Sequence, residues 1–145
     1  MIYTALTKKA LKISFDVHKN QVDKSGMPYV HHPFHIAEQM DDELTTCVAL
    51  LHDVVEDTYI TLDDLTSNGF PDEVIEALSL MTHRDNVPYL DYIRAMKDNP
   101  IARKVKLADL AHNSDLTRLV EVDDKAIERV NRYKQAIHIL ESAER

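Results

Sequence analysis

The sequence has one cysteine, Cys47, two glycines, Gly26 and Gly69, and no tryptophan. A lone cysteine excludes an internal disulfide and every CxxC zinc or redox motif. Two isolated glycines exclude the GxGxxG dinucleotide loop and the phosphate-cradling P-loop, which need several glycines where backbone meets phosphate. Basic residues are scarce: 17 Lys plus Arg stand against 25 Asp plus Glu, a net charge of −8 over 145 residues. No Lys/Arg cluster is present, so nucleic acid and an anionic membrane are excluded as main partners, because such clusters hold both. Long apolar runs are missing too. Nothing approaches the roughly 18 residues that span a bilayer. Lys8, Lys9 and Lys12 interrupt the N-terminal stretch, leaving no signal-peptide core. A cytoplasmic protein is expected. The length and the 44% hydrophobic, 29% charged composition fit one globular domain over residues 1–145, without linker or repeat.

Alternating strand patterns are absent, and helical spacing fills the chain. Leu6, Ala10, Ile13 and Val17 recur at steps of four and three, as do Ala126, Val130, Tyr133, Ile137 and Leu140. Leu44, Val48, Leu51 and Val55 predict a helix from about residue 43 to 55. Asp123 and Asp124 suit the positive end of the C-terminal helix. Thr61 with Asp64 reads as a variant capping box. Pro71, Pro88 and Pro100 fit first helical turns, with Asn99 an N-cap. Lys24-Ser25-Gly26-Met27-Pro28 is a turn-rich loop. The expected fold is an all-α bundle of about seven or eight helices.

What the chain has in excess is histidine, eight residues in all. Chemistry gathers in three places. The first is His31-His32-Pro33, directly after the loop. The second is His52-Asp53-Val54-Val55-Glu56-Asp57. There Asp53, Glu56 and Asp57 stand at i, i+3 and i+4, which crowds three carboxylates at roughly 0.2–0.5 kcal/mol per like-charge pair. A divalent cation would compensate. The third is Lys106-Leu107-Ala108-Asp109, with His112 and Asn113 one turn on. Imidazole and carboxylate donors suit Mn²⁺, Fe²⁺, Zn²⁺ or Ni²⁺ better than Ca²⁺. Adjacent His and Asp on a helix point about 100° apart, so a shared ion must sit off the helix end and draw ligands from elsewhere. Neither HExxH nor HxxEH occurs, which speaks against a metalloprotease. His31 and His35 are expected to be exposed, His18, His83 and His138 structural or exposed, and His112 either packed or beside the ligands. Cys47, in an apolar run, is expected to be buried and inert.

A histidine, an HD pair and a distant aspartate meeting at one ion resemble the HD-domain metal phosphohydrolases. More narrowly, Pro28-Tyr29-Val30-His31-His32-Pro33, then Ala49-Leu50-Leu51-His52-Asp53-Val54-Val55-Glu56-Asp57-Thr58, then Lys106-Leu107-Ala108-Asp109-Leu110-Ala111-His112-Asn113 resemble the hydrolase domain of the RelA/SpoT family. The likeness covers nearly the whole chain in order and spacing. It implies an HD-domain helical architecture and Mn²⁺-dependent removal of the 3′-pyrophosphate of ppGpp and pppGpp. It implies His32, His52, Asp53 and Asp109 as metal ligands. Glu56 and Asp57 would position or deprotonate the attacking water. Asn113 would touch the sugar, and Lys24 and Lys106 would meet substrate phosphates. A small stand-alone alarmone hydrolase, without a synthetase domain, is the expectation.

Three positions depart from the family. Asp23 stands just before Lys24, where the family usually carries an arginine that stacks on guanine; a carboxylate cannot stack on a base. Leu110 and Ser114 stand where arginine and methionine are typical. A phosphohydrolase acting on another phosphorylated nucleotide therefore stays open beside the alarmone hydrolase, as does a non-catalytic nucleotide or metal sensor. The pair Glu56 and Asp57 counts against the sensor, which needs ligands but no water-activating group.

Overall fold

The computed structural model describes residues 1–142. Among them the helices are α1 (Ala5–His18), α2 (His31–Glu38), α3 (Glu43–Leu51), α4 (Val54–Asp57), α5 (Leu62–Ser67), α6 (Asp72–Met81), α7 (Tyr89–Met96), α8 (Pro100–Asn113) and α9 (Asp124–Ser142), with a 3₁₀ turn at Leu116–Arg118. The described residues form no strand beyond an isolated bridge between Val22 and Pro28. Since α4 is one turn separated from α3 by two residues, the two count together and the described residues form an all-α bundle of eight helices, as expected.

α3 is the central element because its sequence, ELTTCVALL, is apolar nearly all round, the pattern of a helix with no face for solvent. Every residue from Thr45 to Leu51 is buried, against α1, α2, α6 and α8. Cys47 is fully buried there. Burial and the nearby Glu43 carboxylate push its thiol up to about 12, which makes it inert. On α1 the buried line runs through Thr7, Ala10, Ser14 and His18. Leu6, Ile13 and Val17 flank that line, half-buried. No helix among the described residues is long and apolar enough to cross a membrane.

Helix starts follow the local chemistry. Asp42 accepts the Thr45 N–H, Asn99 the Ala102 N–H, and Asp123 the Ala126 N–H. Thr61 and Asp64 cap α5 reciprocally. Pro100 opens α8 as its first residue, whereas Pro71 and Pro88 sit one position earlier than expected, at N-caps with extended backbone. The one difference that matters for function is at residues 52–53. The helix expected to continue to Val55 stops at Leu51, and His52 and Asp53 form a turn before α4. Asp53 has φ −101° and ψ −3°, in the sparsely populated bridge region where many active-site residues sit.

Candidate metal centre

The turn solves the problem of adjacent ligands. His52 keeps helical dihedrals and Asp53 departs from them, and the two side chains meet at the end of α3 while α2 and α8 approach from other sides. His32 comes from the first turn of α2 and Asp109 from the third turn of α8. His32, His52 and Asp109 are 3%, 3% and 4% exposed, and each offers one ligand atom lying within 4.8 Å of the others. Asp109 Oδ1 is 2.8 Å from His32 Nε2 and 3.3 Å from His52 Nε2. Asp53 Oδ2 is 3.1 Å from His52 Nε2 and 3.9 Å from His32 Nε2. Nitrogen and oxygen ligands bind a first-row ion at about 2.0–2.2 Å, so two of them stand no more than about 4.4 Å apart. All four measured separations fall inside that limit.

The protonation pattern also fits a cation. His52 Nδ1 is 2.6 Å from the Ala49 carbonyl, which can only accept, so Nδ1 carries the hydrogen. In the neutral ring this leaves the Nε2 lone pair facing two carboxylates. That atom is buried and has no hydrogen bond of acceptable geometry. Burial alone would lower the His52 pKa, but the Asp53 and Asp109 carboxylates outweigh it and hold it well above the ordinary value. Positive charge is demanded at Nε2, whether as a proton or a metal. For Asp53, burial raises the pKa and the His52 charge outweighs it, so the carboxylate stays below its usual range. The Tyr29 hydroxyl donates to Asp53 Oδ2.

Asp109 is the most heavily bonded member. Lys106 Nζ lies 2.9 Å from Oδ2, and Asn113 Nδ2 donates to Oδ1 at 3.1 Å. Burial opposes its ionisation, but Lys106, His32 and His52 together hold it well below the carboxylate range. Lys106 and Asn113, both expected at the substrate, are thus bonded to a candidate ligand, though both also line the cavity. His112 proves to lie behind the ligands: its Nδ1 is 2.7 Å from His32 Nδ1, with the two ring planes only 7° apart. Burial, then Arg118 and the surrounding histidines, hold His112 down at about 3. A neutral His112 accepts the His32 Nδ1 hydrogen and leaves His32 Nε2 free to ligate. His35 is exposed, as expected, and stacks on His112 at 4.1 Å. His31 is half-buried.

A cavity of about 450 Å³ opens beside this group, with Tyr29, His32, Asp53 and Asp109 at one end. Lys24, Lys106, Arg118 and Arg129 line it with positive charge, and Leu119, Ala126, Val130 and Tyr133 give it an apolar side. Glu56 and Asp57 follow Asp53 on α4 and are not among the lining residues. Both carboxyls are raised, Glu56 by burial and the charges of Asp57 and Asp53, and Asp57 by burial and the charge of Asp53. Asp23 does not meet the cavity as a free charge. Its Oδ1 accepts the N–H groups of Ser25 and Met27 at 2.9 and 3.0 Å, closing the loop in which Gly26 takes φ +80°. Leu110 is buried in the core.

Spacing missed Tyr29, Arg118, Arg129 and Tyr133. Tyr29 lies inside a quoted motif but carries no chemistry by itself. The other three come from residues 118–133, beyond the last motif: Arg118 ends the 3₁₀ turn after α8, and Arg129 and Tyr133 reach the cavity because α9 packs against α8.

The HD domain family model matches residues 10–108, from α1 to one residue before Asp109. The chain belongs to the HD domain family. This HD domain is 33% identical over 135 residues to a probable GTP pyrophosphokinase of Mycobacterium leprae, covering 84% of the chain and 17% of that protein. It is 32% identical over 123 residues to the bifunctional (p)ppGpp synthase/hydrolase SpoT of Escherichia coli K12, covering 73% of the chain and 17% of that protein. The chain thus spans less than a fifth of the length of these curated relatives. A solved structure described as a metazoan ortholog of SpoT that hydrolyzes ppGpp superposes with TM-score 0.76 over 97% of this chain and 88% of its own, at 24% identity. The fold is therefore that of an HD domain, and the resemblance to RelA/SpoT proteins holds in the relatives found.

Proposed function

We propose that residues 1–145 act as a single hydrolase domain that removes the 3′-pyrophosphate from ppGpp and pppGpp, releasing pyrophosphate and GDP or GTP, with Mn²⁺ bound by His32, His52, Asp53 and Asp109. The observation that carries this reading is the group of two buried imidazoles, the buried Asp109 and the half-buried Asp53 beside a cavity that Lys24, Lys106, Arg118 and Arg129 also line. The substrate is a polyanion, and Lys24, Arg118 and Arg129 answer its charge. The names and activities of the RelA/SpoT relatives support the same reading. Such a soluble nucleotide places the reaction in the cytoplasm.

A bound divalent ion lowers the pKa of water and neutralises charge developing on the phosphoryl oxygens. The chain's own residues do the rest. Lys106, Asn113 and His112 fix Asp109 and His32 in ligating orientation. Glu56 or Asp57 accepts the proton of the attacking water as its oxygen bonds to the 3′-phosphorus. The bond from that phosphorus to the ribose 3′-oxygen breaks, and the oxygen leaves with a proton. The raised pKa of Glu56 suits a proton acceptor.

A Mn²⁺-supplemented assay over ppGpp, pppGpp and a panel of phosphorylated nucleotides, with products identified, tests the proposal. Pyrophosphate released from the guanosine alarmones is the expected result; no turnover of either would refute it. Glu56→Gln should keep the metal and lose turnover by at least roughly 10²-fold. The Asp23 carboxylate, spent on its own loop, supports the second reading, hydrolysis of another phosphorylated nucleotide, since no guanidinium from this position stacks on guanine. Turnover confined to a different nucleotide in the panel would establish it.

A further inference from the structure

His18 is fully buried at the end of α1, and its Nε2 has no hydrogen-bond partner. A buried polar atom left unpaired costs about 1–3 kcal/mol, so its retention asks for a reason elsewhere on the ring. His18 Nδ1 lies 2.8 Å from Gln21 Oε1. With Oε1 as acceptor, Nδ1 carries the hydrogen and the ring orientation is fixed. Gln21 is itself braced: its backbone N–H donates to the His18 carbonyl at 2.9 Å, and its carbonyl accepts the Tyr29 N–H at 2.9 Å. The rings of His18 and Tyr29 meet with centroids 5.0 Å apart. Tyr29 is thus held twice, by its backbone through Gln21 and by its ring through His18. Its hydroxyl then donates to Asp53 Oδ2.

This matters because Asp53 has little else to orient it. It is the N-cap residue of α4 and makes no side-chain capping bond. Asp109 has Lys106 and Asn113, His52 has the Ala49 carbonyl and His32 has His112; Asp53 has Tyr29 alone as a fixed donor. Groups bonded to a metal ligand are commonly worth 10–100-fold in metal affinity.

We propose that His18 and Gln21 are positioning residues for the metal site, acting through Tyr29, which sets the orientation of the Asp53 carboxylate. The inference rests on the metal-centre reading above and extends it to residues on α1 and the following loop that touch neither ion nor substrate. Tyr29 also lines the cavity, so the same phenol that orients the carboxylate forms part of the substrate wall.

Cobalt(II) titration of the full chain, followed by visible absorption and by calorimetry, tests this without turnover. Tyr29→Phe removes only the hydroxyl and should weaken Co²⁺ binding about 10–100-fold while changing the visible spectrum. His18→Phe keeps an aromatic ring against Tyr29 and should weaken binding by a smaller factor, with no further loss when added to Tyr29→Phe. If His18→Phe does not fold, Gln21→Leu breaks the same link and carries the same expectation. Co²⁺ affinity and spectrum unchanged in Tyr29→Phe would overturn the proposal while leaving the metal centre standing. Equal losses from His18→Phe with and without the Tyr29 hydroxyl would show that His18 acts on general stability and would overturn its positioning role. Failure of the unaltered chain to bind Co²⁺ or Mn²⁺ would remove the metal centre and this proposal together.

Discussion

Lys106→Met separates the structural from the electrostatic demands of the centre. Lys106 Nζ sits 2.9 Å from Asp109 Oδ2, with side chains only 13% and 6% exposed. Breaking a buried ion pair by removing one partner costs about 3–5 kcal/mol, because the remaining charge stays desolvated. For a chain of this size each kcal/mol moves Tm by about 2–4 °C. The metal-free variant should therefore melt roughly 6–20 °C lower than the unaltered protein. A dication beside Asp109 supplies the missing positive charge, so most of this deficit should vanish with saturating Mn²⁺. The ammonium and the ion also repel each other. Unit charges 4 Å apart near a protein surface interact by about 4 kcal/mol, and a flexible lysine relieves much of that by swinging away. Asn113 Nδ2 still holds Asp109 Oδ1 in place, so removing the lysine's charge should tighten Mn²⁺ binding by about tenfold or more. Calorimetric melting with and without Mn²⁺, and a Mn²⁺ titration of both proteins, make the comparison. A deficit of equal size in both conditions, with no gain in Mn²⁺ affinity, would refute the idea that lysine and metal share the neutralisation of Asp109.

Cys47 should resist alkylation at pH 8 in the native protein and react fully in denaturant, since its thiol is held at about 12; rapid native labelling, measured by intact mass, would contradict its burial. Asp23→Asn keeps an oxygen for the Ser25 and Met27 N–H groups and should change KM by less than about twofold. Asp23→Ala loses both bonds, each worth about 0.5–1.5 kcal/mol, and should raise KM about tenfold by loosening the loop that carries Lys24. Unchanged KM in Asp23→Ala would mean that this loop does not organise the cavity.

The helical class and most helix starts are legible in the sequence because each rests on local signals, whereas the set of four candidate ligands comes from the likeness of three motifs to the HD-domain phosphohydrolases. Caps such as Thr61 and Asn99 act within four residues, and the HD pair is contiguous. The break after Leu51 is not legible. Leu51 and Val55 keep helical spacing across it, since a two-residue turn close to helical geometry preserves the phase of the apolar pattern. The bonding of Lys106 and Asn113 to Asp109 was within reach, being i+3 and i+4 relations on α8, but a motif suggests what a side chain faces, not which neighbour claims it. Tyr29 and His18 were out of reach because their meaning comes from a loop that folds back between Val22 and Pro28.

The boundary of the shared domain cuts the cavity in two. The matched residues 10–108 include His32, His52, Asp53 and the loop carrying Lys24, whereas Asn113, Arg118, Leu119, Arg129, Val130 and Tyr133 all come later in the chain. Three of the four candidate ligands and the Lys24 loop therefore lie within the matched stretch, while Asp109 and the α9 side of the cavity lie beyond it. Under the proposed function, changes after residue 113 alter the α9 side of the cavity without replacing His32, His52, Asp53 or Asp109, so that wall is free to vary while the candidate ligands stay in place.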